Sequence, residues 1–145
     1  MKKRLENRVD VRIKENLRGI RKFMDGNLAA PITIDGLSRR AALSPYHFIR
    51  VFRWTYQQTP HQYLSQRRIE KAKELLRSSE LPITEICSAV GFESLGSFST
   101  LFRKQVGLSP RHYRNAASRI SHAHAHSTYI PLCCCVMHGI PDGDL

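Results

Sequence analysis

The side chains with the strongest coordination chemistry lie near the C-terminus of this 145-residue chain. Histidines alternate with alanines from His122 to His126, and three adjacent cysteines begin at Cys133. Zinc prefers thiolates and imidazoles, but structural zinc sites separate paired cysteines by about two to four residues. Adjacent side chains of an extended segment also point to opposite sides. A metal site at His124, His126, Cys133 and Cys135 is therefore an alternative hypothesis, beside a redox role for exposed thiols.

Elsewhere the chain lacks the residue patterns of an enzyme. It has no phosphate-cradling glycine loop, no paired carboxylates in a plausible site and no nucleophile motif. We therefore expect neither catalysis nor a cofactor. The four cysteines do not have the pattern of a disulfide framework.

The charge balance of the chain indicates which chemical class of partner it can bind. Lysine and arginine outnumber aspartate and glutamate by 23 to 12, which gives a formal net charge of +11. Such an excess favours a polyanion such as nucleic acid or an acidic membrane surface. No apolar run approaches the roughly 20 residues that cross a bilayer, and no apolar segment follows the basic N-terminus. The sequence therefore predicts a cytoplasmic protein with no membrane partner.

A basic and aromatic pattern occurs twice in the sequence. The segment FIRVFRWTYQQTPHQYL, which begins at Phe48, is echoed by FSTLFRKQVGLSPRHYR, which begins at Phe98. At a constant offset, Phe52-Arg53 falls on Phe102-Arg103. Two copies are too few for a solenoid, so the repeat indicates two copies of one small module.

The elements that position these residues are all expected to be helical, because their apolar residues recur at helical spacing and strand patterns are nearly absent. Ser44-Pro45 and Ser94 are predicted helix starts, and Thr59-Pro60 with Gln62 forms a capping box. The predicted fold is all-α, with about seven helices. Their approximate bounds are Asn7 to Asp25, Ile34 to Ala42, Pro45 to Tyr56, Pro60 to Arg77, Ile83 to Val90, Ser94 to Val106, and Pro110 to about Ala116.

Each module therefore has a short helix, a tight turn and a second helix, which is the helix-turn-helix arrangement. The second helix of such a unit fits a major groove, which is about 12 Å wide. Two units joined by one rigid helix would address two successive major-groove segments about 34 Å apart, so that one monomer would bind a site that need not be palindromic. The remaining alternatives are an ordinary helical bundle that acts as a protein-interaction module, and a metal- or redox-responsive protein that uses the tail.

The quoted residues resemble a known family. LSRRAALSPYHFIRVFRWTYQQTPHQYLSQRRIEKAKELL and PITEICSAVGFESLGSFSTLFRKQVGLSPRHYR are similar to the DNA-binding domain of the AraC/XylS transcription regulators. The resemblance implies a homeodomain-like domain of two helix-turn-helix subdomains and a linker helix, at 7–58, 80–117 and 59–79, followed by a tail at 118–145. It also implies a stand-alone regulator, more often an activator than a repressor. The expected partners are double-stranded promoter DNA, bound by a monomer in the nucleoid, and RNA polymerase.

The resemblance also implies which residues face DNA. Arg50 is the best candidate for a base contact, and for His47 a structural role is an equal alternative. Arg67, Arg68, Arg111 and Arg114 are candidates for phosphate contacts or solvated surface. The groove-facing or helix-start residues of the first unit are Ser44, Tyr46, His47, Ile49, Arg50 and Arg53. Those of the second unit are Ser94, Leu95, Gly96, Ser97, Ser99, Thr100, Arg103 and Lys104.

Several positions depart from the family pattern. Gln57 stands where the second copy has Gly107, and Ala42 stands where it has Gly91. Thr100 matches Arg50 of the first copy, so we expect the first unit to carry most of the base discrimination. Trp54 is expected to cover the linker helix rather than to stack on DNA.

Overall fold

The computed structural model describes the backbone of residues 2–123 and the side chains of residues 11–119. This part of the chain folds into seven helices without a strand, which confirms the all-α prediction. The helices are α1 (Lys2–Gly26), α2 (Ile34–Arg40), α3 (Pro45–Tyr56), α4 (Pro60–Ser78), α5 (Ile83–Ala89), α6 (Leu95–Val106) and α7 (Pro110–Ala123).

Side-chain caps start the helices where the sequence predicted. The hydroxyl of Ser44 accepts a hydrogen bond from the backbone N–H of His47 at 3.3 Å, and Ser94 accepts from Ser97 at 3.2 Å. At α4, the Thr59 N–H donates to Gln62 Oε1 at 2.9 Å, while the Gln62 N–H donates to Thr59 Oγ1 at 3.2 Å. These bonds satisfy N–H groups that have no partner within the helix.

Two hydrophobic cores divide the described helices into two units. In the first core, Phe48 and Phe52 of α3 pack with residues of α1, α2 and the start of α4. In the second core, Phe98 and Phe102 of α6 pack with residues of α5 and the remainder of α4. Helix α4 therefore belongs to both units: Tyr63 and Leu64 lie in the first core, and Ile69, Ala72 and Leu76 lie in the second.

Helix α1 and the second half of α4 occupy equivalent places in the two units. The buried residues Leu17, Ile20 and Met24 of α1 have the same spacing as Ile69, Ala72 and Leu76 of α4. In each unit the short helix, α2 or α5, and the helix that follows it, α3 or α6, thus pack against a third helix. We call α3 and α6 the reading helices.

The turns of the two units have the same backbone hydrogen bonds. Leu43 N–H donates to Ser38 O and Phe92 N–H to Cys87 O, both at 3.0 Å. Both turns use a left-handed residue, which is Ala42 at φ 54° in the first unit and Gly91 at φ 88° in the second. The second turn is longer because Glu93 is inserted before the cap.

The structure corrects the start of one helix and the ends of two others. Helix α1 begins at Lys2 rather than near Asn7, and α2 ends at Arg40 rather than at Ala42, whose positive φ breaks the helix. Helix α7 continues to Ala123, beyond the predicted end near Ala116 and into the segment predicted as a tail. Tyr113, Ala117 and Ile120 keep helical spacing across the predicted end. Extending a helix that has already started also costs little, and alanine has the highest helix propensity, so α7 continues into this segment.

Candidate nucleic-acid interface

The outward face of α3 is formed by the residues that the core does not use. Phe48 and Phe52 are fully buried. Because a helix repeats every 3.6 residues, the residues on the opposite side of α3 point away from the core, whereas Val51 packs beside the two phenylalanines. Tyr46 and Ile49 are 77% and 36% exposed, and the side chains of Arg50 and Arg53 are also exposed. The sequence thus predicted correctly that these four side chains face away from the core.

This face is a shallow, open depression of about 470 Å³ rather than an enclosed pocket. Its chemistry combines two guanidinium groups with aromatic and aliphatic surface. The depression is lined by Tyr46, Ile49, Arg50, Arg53, Trp54 and Gln57.

The position of Trp54 differs from the one predicted from the sequence. It is 72% exposed and lies on the reading-helix face, so it does not cover the linker helix. Its spacing contained the signal that the interpretation missed, because Trp54 follows Arg50 by one helical turn.

Gln57 belongs to the same surface and ends α3 in the left-handed conformation, at φ 57°. Its side-chain amide donates to the Trp54 carbonyl at 2.9 Å, which satisfies one of the last carbonyls of the helix. Gln57 thus adopts the same conformation as Gly107, which ends α6 at φ 84°.

His47 and Ser44 lie at the N-terminus of α3. The side chain of His47 is exposed, so the structure does not give it a buried role. Ser44 is also exposed, beside N–H groups of the first helical turn. A helix N-terminus favours phosphate because its free N–H groups and the helix dipole both point at the ligand.

The outward face of α6 carries shorter side chains. Leu95 is 42% exposed, and Ser97 and Thr100 are exposed, whereas Ser99 is half-buried. The Ser94 hydroxyl donates to Ser97 Oγ at 2.9 Å, so these two hydroxyl groups are already connected to each other. Positive charge is confined to the last turn, at Arg103 and Lys104. Gly96 and Thr100 leave the first half of this face without a long hydrogen-bonding side chain.

Arg67 has intramolecular partners rather than a free guanidinium. Its Nε donates to Asp25 Oδ1 at 2.8 Å, and its Nη1 pairs with Glu70. The hydrogen bond to Asp25 raises the pKa of Arg67 in spite of partial burial. Arg67 thus joins α4 to the end of α1, which is a structural role that the sequence did not suggest.

The other three arginines of this group differ from one another. Arg68 donates to the carbonyls of Leu28 and Ala30, and Arg114 Nη2 donates to the carbonyl of Leu81 at 2.5 Å. Arg111, at the start of α7, is exposed. Arg111 is thus the most exposed of these four arginines.

The described residues contain neither a metal-binding cluster nor a membrane-spanning helix. Residues 11–119 contain no group of three or more histidine, cysteine or acidic side chains that could hold a metal ion. His124, His126, Cys133 and Cys135 lie outside the residues that the structure describes. Among the described helices, none is both long enough and apolar enough to cross a membrane.

Comparisons with known proteins agree with this geometry. The family model described as a helix-turn-helix domain matches residues 37–116. The regulatory protein SoxS of Escherichia coli (strain K12) is 33% identical over 93 residues, which are 64% of this chain and 87% of SoxS. The probable transcriptional regulator LumQ of Photobacterium leiognathi is 33% identical over 92 residues, which are 63% of this chain but only 37% of LumQ.

A solved structure shows the same fold. The DNA-binding domain of AdpA, a global transcriptional factor crystallised with a target DNA, superposes with a TM-score of 0.67 at 31% identity. The match covers 69% of this chain and 90% of that domain.

Two helix-turn-helix units on a shared helix, each with an exposed reading helix, define the class of double helix-turn-helix DNA-binding domains. Within this class, the chain belongs to the AraC-type family of transcription regulators.

Proposed function

We propose that this protein regulates transcription by binding double-stranded promoter DNA with sequence specificity. A single monomer would place α3 and α6 in two adjacent major-groove segments. The observation that carries the proposal is the outward face of α3, where exposed Arg50 and Arg53 line one depression together with the aromatic side chains of Tyr46 and Trp54.

The first unit would carry most of the base discrimination. An arginine at the centre of a reading helix can donate two hydrogen bonds to O6 and N7 of guanine, and we assign this contact to Arg50. Tyr46 and Ile49 offer apolar surface that fits the methyl group of thymine. Arg53, one turn nearer the C-terminus, would bind a phosphate, and His47 lies near the phosphates that flank the helix start.

The second unit would chiefly anchor the protein. Arg103 and Lys104 would contact phosphates, as would Arg111 and the helix start at Ser94. Leu95 would contact a thymine methyl, while Ser97, Ser99 and Thr100 are short and reach little beyond the helix surface. Discrimination by α6 would therefore depend largely on DNA shape.

The shared helix α4 supports monomeric recognition of a two-part site. Both reading helices pack against α4, so their separation is a property of one chain and requires no dimer. Successive major-groove segments on one DNA face lie about 34 Å apart. If the protein holds its reading helices closer together, the DNA must bend, at a cost of about 1–6 kcal/mol.

The regulatory role would be activation, through a contact between the DNA-bound protein and RNA polymerase. Whether the protein activates or represses a given promoter would depend on the position of the operator relative to the polymerase. Transcription in vitro from a promoter with the operator moved by half a helical turn tests this point. Activation that is lost at the half turn and regained at the full turn supports a polymerase contact on one DNA face.

The primary test is selection from a randomised duplex library, with sequencing of the bound fraction at two salt concentrations. We expect two unlike sequence boxes about one helical turn apart. Arg77→Ala is the matched control for substitutions of arginines in the reading helices, because Arg77 is an exposed arginine of α4 outside both reading-helix faces.

Each outcome of the selection has a separate meaning. One recovered box would contradict two-segment reading but leave specific binding intact. Binding that falls steeply with salt and enriches no sequence would reduce the protein to a non-specific DNA binder.

A further inference from the structure

Arg68 of α4 contacts both helix-turn-helix units. Its Nε donates to the carbonyl of Leu28 at 2.9 Å, and its Nη2 donates to the carbonyl of Ala30 at 3.2 Å. These two carbonyls lie in the loop that connects α1 to α2. The Arg68 guanidinium carbon also lies 5.9 Å from the centre of the Phe92 ring, in the turn between α5 and α6. One side chain therefore connects the loop of the first unit with the turn of the second.

Gly91 brings the same two segments into direct contact. A Cβ atom at Gly91 would lie 2.3 Å from the carbonyl oxygen of Leu28, which is closer than real Cβ contacts allow. It would also lie 3.0 Å from the guanidinium carbon of Arg68. Only glycine allows this approach, and its φ of 88° independently favours glycine. The oxygen that Arg68 holds is thus the same atom against which the second turn rests.

The electrostatics suit a structural contact between the units. Burial lowers the pKa of Arg68, an effect that the charge of Glu93 opposes. An arginine remains charged even so, because its pKa lies far above neutrality. Hydrogen bonds from a charged donor to carbonyl oxygens are stronger than those between neutral groups, and partial burial shields them from competing water.

We propose that Arg68 and Gly91 form a clamp that fixes the angle and distance between α3 and α6, and thereby the spacing of operator boxes that the monomer accepts. The proposal rests on the two-segment reading described above. Each unit packs on its own half of α4, so bending or twisting of α4 would move the reading helices relative to each other. The clamp restrains this motion by joining the α1–α2 loop to the α5–α6 turn. Arg68 is thus a positioning residue, which acts on DNA through the two reading helices.

The test is the dependence of affinity on box spacing. Duplexes would carry the two selected boxes at the selected spacing, and with one or two base pairs inserted or deleted. One base pair rotates a box by about a tenth of a turn. We expect one inserted or deleted pair to weaken wild-type binding about tenfold and Arg68→Met binding only about twofold. Affinity for a single-box duplex should agree within about twofold between the two proteins.

The control is Arg77→Met, which removes an exposed arginine from the same helix and should keep the wild-type spacing profile. An Arg68→Met protein with lower affinity overall but the wild-type profile would overturn the clamp and leave two-segment reading intact. A wild-type protein that is indifferent to spacing would contradict two-segment reading itself, and the clamp with it.

A measurement without DNA covers the case in which Arg68→Met does not fold. Arg68→Lys keeps the charge but cannot reach two carbonyls with a fixed fork of donors. Spin labels on Trp54→Cys and Lys104→Cys, with Cys133, Cys134 and Cys135 replaced by serine, report the distance between equivalent positions of α3 and α6. The clamp predicts a narrow distance distribution with Arg68 and a broader one with Arg68→Lys. Distance distributions of equal width in the two proteins would overturn the clamp.

Discussion

Tyr63 and Asp25 connect the first turn of α4 to the last turn of α1. The Tyr63 hydroxyl donates to Asp25 Oδ1 at 2.8 Å, and the same carboxylate accepts a hydrogen bond from Arg67. In the second unit, Tyr113 packs on Phe102 as Tyr63 packs on Phe52, but the position equivalent to Asp25 is Arg77. The two units therefore share their aromatic packing and differ in this polar connection.

Removing the Tyr63 hydroxyl should destabilise the fold. Tyr63→Phe keeps the ring packing and loses a hydrogen bond to a charged acceptor, so the free energy of unfolding should fall by about 1–2 kcal/mol. Tyr113→Phe is the matched control and should cost less than half as much. Urea denaturation followed by circular dichroism measures both changes. Equal losses in the two variants would contradict the assigned role of Asp25.

Tyr63 also predicts a dependence of stability on pH. Burial raises the pKa of Tyr63 above its ordinary value of 10.0, and the hydrogen bond to Asp25 raises it further, while Arg21 opposes both effects. A raised pKa means that the folded protein holds this proton more tightly than the unfolded chain. The Tyr63 contribution is therefore complete below pH 10.0 and is lost as the pH rises above it. Unfolding measured from pH 8 to 11 should show a smaller alkaline loss in Tyr63→Phe than in the wild type.

Arg50 and Thr100 occupy equivalent positions on the two reading helices, and they should contribute unequally to specificity. Arg50→Ala should weaken binding to the selected operator by about 1–3 kcal/mol and relax the preference at one base pair. Thr100→Ala should change affinity by less than about 0.5 kcal/mol, because its side chain is short. Competition with single-base operator variants measures both effects. Equal losses of specificity would refute the proposed asymmetry of the two units.

Trp54 gives an intrinsic probe of α3, because it is the only tryptophan of the chain. Its indole is 72% exposed, so Trp54→Ala should change the free energy of unfolding by less than about 0.5 kcal/mol. Addition of operator duplex should change the tryptophan emission in step with the anisotropy of labelled DNA. If binding is complete while the emission stays constant, α3 does not approach the DNA at this face.

Ala42 and Gly91 have equivalent left-handed conformations, so exchanging the two residue types should have opposite effects. Ala42→Gly removes steric strain at an exposed site and should raise the free energy of unfolding by about 0.5–1 kcal/mol. Gly91→Ala should lower the free energy of unfolding by at least about 2 kcal/mol, because the new Cβ would clash with the Leu28 carbonyl oxygen. The positive φ at this position adds backbone strain for any residue other than glycine. Thermal unfolding of the two single variants measures whether each substitution raises or lowers the stability of the protein.

The features that the sequence predicted are local ones. The starts of α3 and α4 followed from a cap residue and the proline after it, and both lie where expected. The buried phenylalanines followed from helical spacing within each copy of the repeat. The outward positions of Tyr46, Ile49, Arg50 and Arg53 followed from the same spacing, because the core face of α3 was assigned first, whereas the outward position of Trp54 was missed.

The features that the sequence did not predict depend on distant partners. Arg67 and Arg68 are adjacent arginines of α4, and nothing nearby shows that one binds Asp25 and the other two carbonyls of the α1–α2 loop. Both contacts span about 40 residues of sequence, so only the packing of α1 beside α4 creates them. The end of α7 was misjudged for another reason, since Ala117 and Ile120 continue the helical spacing of Tyr113 but are too few to show a helical period by themselves.

The division of α4 between two cores limits how the protein can be dissected. A fragment that ends at Ser78 would keep the first core but expose Ile69, Ala72 and Leu76 to water, on a helix half that no longer has a partner. A fragment that begins after α4 would lack the helix on which α5 and α6 pack. The repeat visible in the sequence is thus not a pair of separable modules. Evolution could vary each reading helix independently, but neither unit could be transplanted without the helix that they share.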